Sequence, residues 1–176
     1  MPYTNIASDE AAPPVCKCVA DNVVIEIPKV GTYSGDFEGS LTVAPGVQIV
    51  QDGWAMLPLA IRGHKTEGNI DKLGRVSVSH DGTRPAPLSH LRQNEPGKAF
   101  PATQEMYVNI LVTIESLEGL TLRNVRPGVL LNPSLDSFPP RNARYDLQAP
   151  MDLEDVDNPG PVLARIVSYT ARINPE

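Results

Sequence analysis

An all-β, antiparallel chain is the fold class this sequence predicts: a jelly-roll-like β-sandwich of about eight to ten short strands with at most one short helix. Three observations predict it. Apolar residues alternate with polar ones at period two over short runs, as Val23, Ile25 and Ile27 do in "NVVIEIP". Turn signals recur about every 8–12 residues, the spacing of strand–turn–strand architecture. Proline makes up 18 of 176 residues, about twice its ordinary share of ~5%, and it is tolerated neither inside helices nor in central strands.

Residues 1–20 lack a sustained apolar period and are expected to be a flexible N-terminal arm that orders only by docking on a neighbour. Residues 21–176 are expected to be one domain. Its first strand ends at Pro28. Leu41 and Val43 then belong to one strand and Val47 and Ile49 to the next, with Pro45-Gly46 as the turn. "WAMLPLAIRG" carries Leu57, Leu59 and Ile61 on one side and Trp54, Met56 and Pro58 on the other. Apolar residues on both faces call for cover on both, and Pro58 favours a sheet edge. "RVSVSH" follows, with His80 in the row of Val76 and Val78, and Asp81-Gly82 as its turn. The strongest strand is "MYVNILVTI", in which Met106, Val108, Ile110, Val112 and Ile114 face one way. "GLTLRNV", "GVLLN" and "ARYDLQ" add shorter strands. "PVLARIVSYTARIN" has apolar residues in both parities, as expected of a long strand with a bulge or a switch of sheet. "PLSHLRQNE" is the candidate short helix.

Charge and composition exclude some functions. The net charge is −6 and no three basic residues are consecutive, which disfavours nucleic acid, whose phosphates need clustered Lys and Arg. No stretch reaches the ~20 apolar residues of a membrane span. The N-terminus has neither a basic start nor an apolar core, so no secretory signal is read and a cytoplasmic location is expected. Cys16 and Cys18 form a C-x-C too close for an unstrained disulfide and too few for a zinc site. They are expected to be reduced thiols, the alternatives being a metal, a redox role or a bridge to another subunit.

Catalytic signatures are scarce. The sequence has no G-x-S-x-G elbow, phosphate loop or dinucleotide fingerprint, and no cofactor is implied. Ser79-His80-Asp81 is not a triad, because strand neighbours point to opposite sides. If Ile61 and Val78 share a core, His64 and His80 fall on opposite faces, unless a bulge at Gly63 reverses the phase. Residues 83–104 lack alternation and hold Arg84, His90, Arg92 and Lys98, so they read as a proline-stiffened cover or as a recognition loop for a small anionic ligand. Asp152, Glu154, Asp155 and Asp157 are weak candidates for calcium, since their spacing departs from the EF-hand pattern.

The function expected from these features is that of a non-enzymatic β-sandwich, a structural or accessory subunit that self-associates through protein contacts. Its arm would reach a neighbour, and Trp54, Met56, Tyr107 and Phe138 would supply apolar anchors. The alternative is a small-molecule binder or metal-assisted enzyme with a site at the loop end, formed by His80, His90 and Arg92.

Overall fold

The computed structural model describes Tyr3 and residues 13–176. Fourteen strands follow one another: β1 (Val15–Ile27), β2 (Gly31–Pro45), β3 (Ile49–Gln51), β4 (Trp54–Ile70), β5 (Gly74–His80), β6 (Ser89–Gln93), β7 (Ala102–Val108), β8 (Ile110–Ile114), β9 (Leu122–Asn124), β10 (Gly128–Leu135), β11 (Ala143–Leu147), β12 (Met151–Asp155), β13 (Val162–Ser168) and β14 (Thr170–Pro175). The all-β antiparallel class is therefore as expected, with more strands than eight to ten. Among the described residues the one helical segment is a 3-10 turn at Glu115–Leu117.

All fourteen strands belong to one antiparallel sheet, and that sheet closes on itself. β1 pairs with β2, and β2 with β4. β4 pairs with β6 along its first half and with β5 along its second. From there the halves run in parallel tiers: β6–β7–β10–β11–β14 in one and β5–β8–β9–β12–β13 in the other. β14 and β13 both return to β1. The chain thus forms eight long staves running up and down in sequence order, five of them interrupted near the middle. This is an up-and-down barrel, an arrangement that removes the edges a sandwich would expose. β3 stands outside it as a small hairpin on β4, turned by Asp52 and Gly53, both at positive φ.

The five interruptions, with the β3 hairpin, raise eight staves to fourteen strands. β7 and β8 form one stave broken at Asn109, which is buried. β13 and β14 form another broken at Tyr169, where the inward parity changes from Ala164 and Ile166 to Ala171 and Ile173. That is the switch the mixed parity of the last segment predicted. The segment 87–95 is not a helix: it contains β6, whose inward residues are Ser89, Leu91 and Gln93. Two of these three are polar, so the alternation is real but not apolar.

Inward residues from all staves make one core, among them Ile25, Phe37, Leu57, Leu91, Met106, Ile110, Leu122, Leu153 and Ile166. One end of the barrel is closed by short turns, such as 28–30 and 71–73, with Val30 N donating to Ile27 O and Leu73 N to Ile70 O. The other, the loop end, carries the connections 46–53, 94–101 and 136–142. The arm boundary also moves. β1 begins at Val15, and Cys16, Cys18 and Ala20 are core residues. Of the remaining expected arm, Tyr3 is fully buried, and residues 1, 2 and 4–12 lie outside the described residues.

Candidate functional site

The waist of the barrel brings together side chains that the sequence keeps apart. Thr42 pairs with Gly63 but Val43 pairs with Ile61, so Arg62 is the extra residue of a bulge. The bulge reverses the phase of β4. Leu57 and Leu59 point inward before it, and Thr66 and Ile70 after it. β5 joins this second half with Lys65 opposite Ser79 and Thr66 opposite Val78. Carried one residue further, the same register sets His64 opposite His80. The expectation that the two fall on opposite faces is corrected: they share the inward face, through a bulge one residue before Gly63, the position named as the exception. The Nδ1 atoms of both rings are buried without a hydrogen-bond partner among the described residues. Burial, and then the proximity of His80, pushes His64 down to about 4, so its ring is neutral at pH 7.

Thr66 and Tyr169 cross the lumen beside this pair. Their hydroxyls lie 3.4 Å apart, and the Tyr169 hydroxyl is 3.9 Å from the Cys18 sulfur. Burial raises both Tyr169 and Cys18, keeping phenol and thiol protonated. The neighbouring loop is pinned by Asp81. Its carboxylate accepts from the Thr83 hydroxyl and backbone N–H and from Arg84, which in turn forks onto the Asn124 carbonyl and side chain at 2.5 and 2.7 Å. These donors, Thr83 first, hold Asp81 down at about 2.

Between the waist and the loop end, the lumen mixes apolar side chains with uncharged polar ones. Tyr145 Oη donates to Gln104 Oε1 at 2.5 Å. Gln93 Oε1 accepts from Ala55 N at 2.6 Å, while Gln93 Nε2 is buried with no partner among the described residues. The buried polar residues of these strands are Ser89, Gln93, Gln104 and Asn132, none of them ionisable. Desolvation raises Cys16 and Tyr145, so they too are neutral. Tyr3 covers the mouth: its N–H donates to Gln48 Oε1 at 2.7 Å, its hydroxyl to Ala99 O at 2.8 Å, and its ring meets Phe100 edge-on at 6.0 Å.

The residues singled out in the sequence scatter around this lumen. His80 lines it, but His90 and Arg92 have outward parity on β6. His90 Nε2 lies 3.3 Å from Glu105, and its Nδ1 meets Leu88 O at 3.2 Å. The positive excess of 83–104 is largely matched, with Arg84 on Asp81 and Lys98 on Glu95. Arg92 instead joins Trp54, Gln93 and Asn94 around an outer recess of about 380 Å³. Trp54 is 44% exposed, Met56 and Tyr107 are half-buried on the outer wall, and Phe138 packs against the core at the loop end. Asp152 and Glu154 lie on a strand, not in a loop, and pair with Arg165 and Arg123, while Asp155 accepts from Asp157 N. Among the described residues no group of three or more His, Cys, Asp or Glu is placed to hold a metal ion. Sequence reading missed Thr66, Gln93, Gln104, Tyr145 and Tyr169. The available signal was a glutamine at an inward position of an otherwise apolar row, as in Ala102, Gln104, Met106 and Val108.

No family model matches the sequence, and no curated protein matches it. Among solved structures the chain is similar to DynF from the dynemicin biosynthesis pathway of Micromonospora chersina, with a TM-score of 0.74, 22% identity, and coverage of 93% of this chain and 81% of that one. At this identity the likeness establishes the shared fold. The likeness to a protein of a biosynthesis pathway points away from the expected structural or accessory subunit. No helix among the described residues is long and apolar enough to cross a membrane.

Proposed function

We propose that the chain is a small-molecule-binding barrel whose ligand enters at the loop end and lies in the lumen. Eight-stranded barrels have an interior just wide enough to be filled by side chains or to hold one small ligand. The observation that carries the proposal is Gln93: its side chain is 1% exposed and its Nε2 has no partner among the described residues. Buried polar atoms are paired in the great majority of cases, and an unpaired one costs about 1–3 kcal/mol. A ligand carbonyl or hydroxyl oxygen accepting from Gln93 Nε2 removes that cost. The phenol of Tyr3 supports the same reading, since the mouth already accommodates an aromatic ring with a hydrogen-bonding oxygen.

The lining sets the ligand class. Gln93, Gln104, Tyr145 and the two thiols are neutral, so the matching molecule is uncharged, mostly apolar, and carries a few oxygen functions. This replaces the small anionic ligand expected from residues 83–104. The biosynthetic setting of DynF agrees with a product or intermediate of that kind. Titration of the full chain with Nile red, a neutral apolar fluorophore bearing a carbonyl, tests the proposal. Saturable one-to-one binding that Gln93→Leu weakens several-fold, and Trp54→Ala leaves alone, is the expected result. No saturable binding, or binding lost with Trp54→Ala and not with Gln93→Leu, refutes it.

A further inference from the structure

We infer that His64 and His80 form a two-histidine site for a late first-row dication such as zinc or copper, set in the barrel wall at the waist. The bulge at Arg62 and the register of β4 with β5, carried one residue past its last pair, Lys65 with Ser79, bring the two residues opposite one another on the inward face. Directly opposed residues of an antiparallel pair have Cβ atoms roughly 4.5–5.5 Å apart. Two imidazoles at that separation are able to reach one ion at nitrogen–metal distances of about 2.0–2.1 Å. Both Nδ1 atoms are buried and unpartnered among the described residues, so each ring offers a nitrogen that no protein group uses. Both residues as a whole keep intermediate exposure. β4 loses its neighbour here, between its pairings with β6 at Met56–Leu59 and with β5 at Lys65–Ile70, where the chain leaves the sheet from Asp81 to Leu88.

The donor set selects the ion. Neutral imidazoles suit zinc, copper and nickel and serve magnesium or calcium poorly. Asp81, the nearest carboxylate in sequence, is occupied by Thr83 and Arg84. No third His, Cys, Asp or Glu completes a cluster among the described residues. A tetrahedral ion on two histidines therefore keeps two positions for solvent or for an oxygen donor lying in the lumen, the arrangement of an open rather than a structural site. The site stands independently of lumen binding of an organic molecule.

Zinc chloride alone, titrated calorimetrically into the full chain at neutral pH, is the test. One ion per chain is expected, with affinity reduced at least tenfold by either His64→Ala or His80→Ala and unchanged by His90→Ala. Imidazole ¹⁵N spectra of the unaltered protein keep the test decisive should a variant fail to fold: zinc is expected to shift the Nδ1 resonances of two histidines and leave the third in place. No zinc binding, zinc shifting the Cys16 and Cys18 thiols instead of the imidazoles, or full affinity in both alanine variants overturns the inference.

Discussion

Replacing Gly39 by alanine tests the barrel where two backbones come closest. Gly39 lies opposite Thr66 on β4, and a Cβ at this position would sit 1.8 Å from the Lys65 carbonyl oxygen and 2.8 Å from the Thr66 Cα. Real Cβ contacts stay beyond 3.0 Å, so β2 must retreat from β4 by at least the difference, 1.2 Å. A ladder hydrogen bond stretched from roughly 2.9 Å by that amount is no longer a bond. Losing the two bonds that flank the site, at about 1 kcal/mol each, plus an overpacking cost of about 1–3 kcal/mol, gives a loss of roughly 3–5 kcal/mol. Thermal unfolding followed by circular dichroism should show Tm lower by about 10 °C. Gly63→Ala is the internal control, because its nearest neighbours are the Thr42 side-chain atoms at 3.9 and 4.0 Å, and it is expected to shift stability by no more than about 0.5 kcal/mol. A Gly39→Ala protein melting within about 2 °C of the parent, on the same scale, would refute the close approach of β2 and β4.

Further outcomes follow from the polar groups. Asp81 is depressed in the folded protein to about 2 from 3.8; a depressed carboxylate stabilises above its unfolded pKa and loses that stabilisation as pH falls through the folded one. The contribution is about 2 kcal/mol at neutral pH. Urea midpoints of the parent and Asp81→Asn should therefore differ at pH 7 and converge as pH drops from about 4 to about 2; a gap independent of pH contradicts the Thr83–Arg84 cradle. Tyr145→Phe removes the donor to Gln104 Oε1 and leaves that oxygen buried, at a cost of about 1–3 kcal/mol. The double variant Tyr145→Phe with Gln104→Leu should recover part of it, and strict additivity in urea unfolding would show that the two groups do not interact.

The sequence by itself determined the class of this protein and most of its inward rows. Period-two runs such as Val23, Ile25, Ile27 and Val76, Val78 became the strands they describe, because apolar alternation is a local property that any sheet burying one face must satisfy. Pro28, Pro45-Gly46 and Asp81-Gly82 marked where strands stop, whereas Pro58 lies inside β4 paired with His90, and not at a sheet edge as expected. The mixed parity around Tyr169 was legible for the same reason: a change of inward phase is written directly in the order of residues.

Tertiary structure alone decided the rest. Closure of the sheet depends on β13 and β14 meeting β1, a contact between the two ends of the chain that no local pattern encodes. The lumen's chemistry was hidden because its positions are filled by Ser89 and Gln93, which erase the apolar alternation that would have revealed β6, and by Gln104, which breaks the apolar row of β7. The phase of His64 depended on one extra residue, Arg62, whose bulge is fixed by pairing with β2 and not by anything in the neighbourhood of the histidine. Alternation tells which residues share a face of a strand. Only the fold, by closing the sheet and setting each register, tells which faces meet.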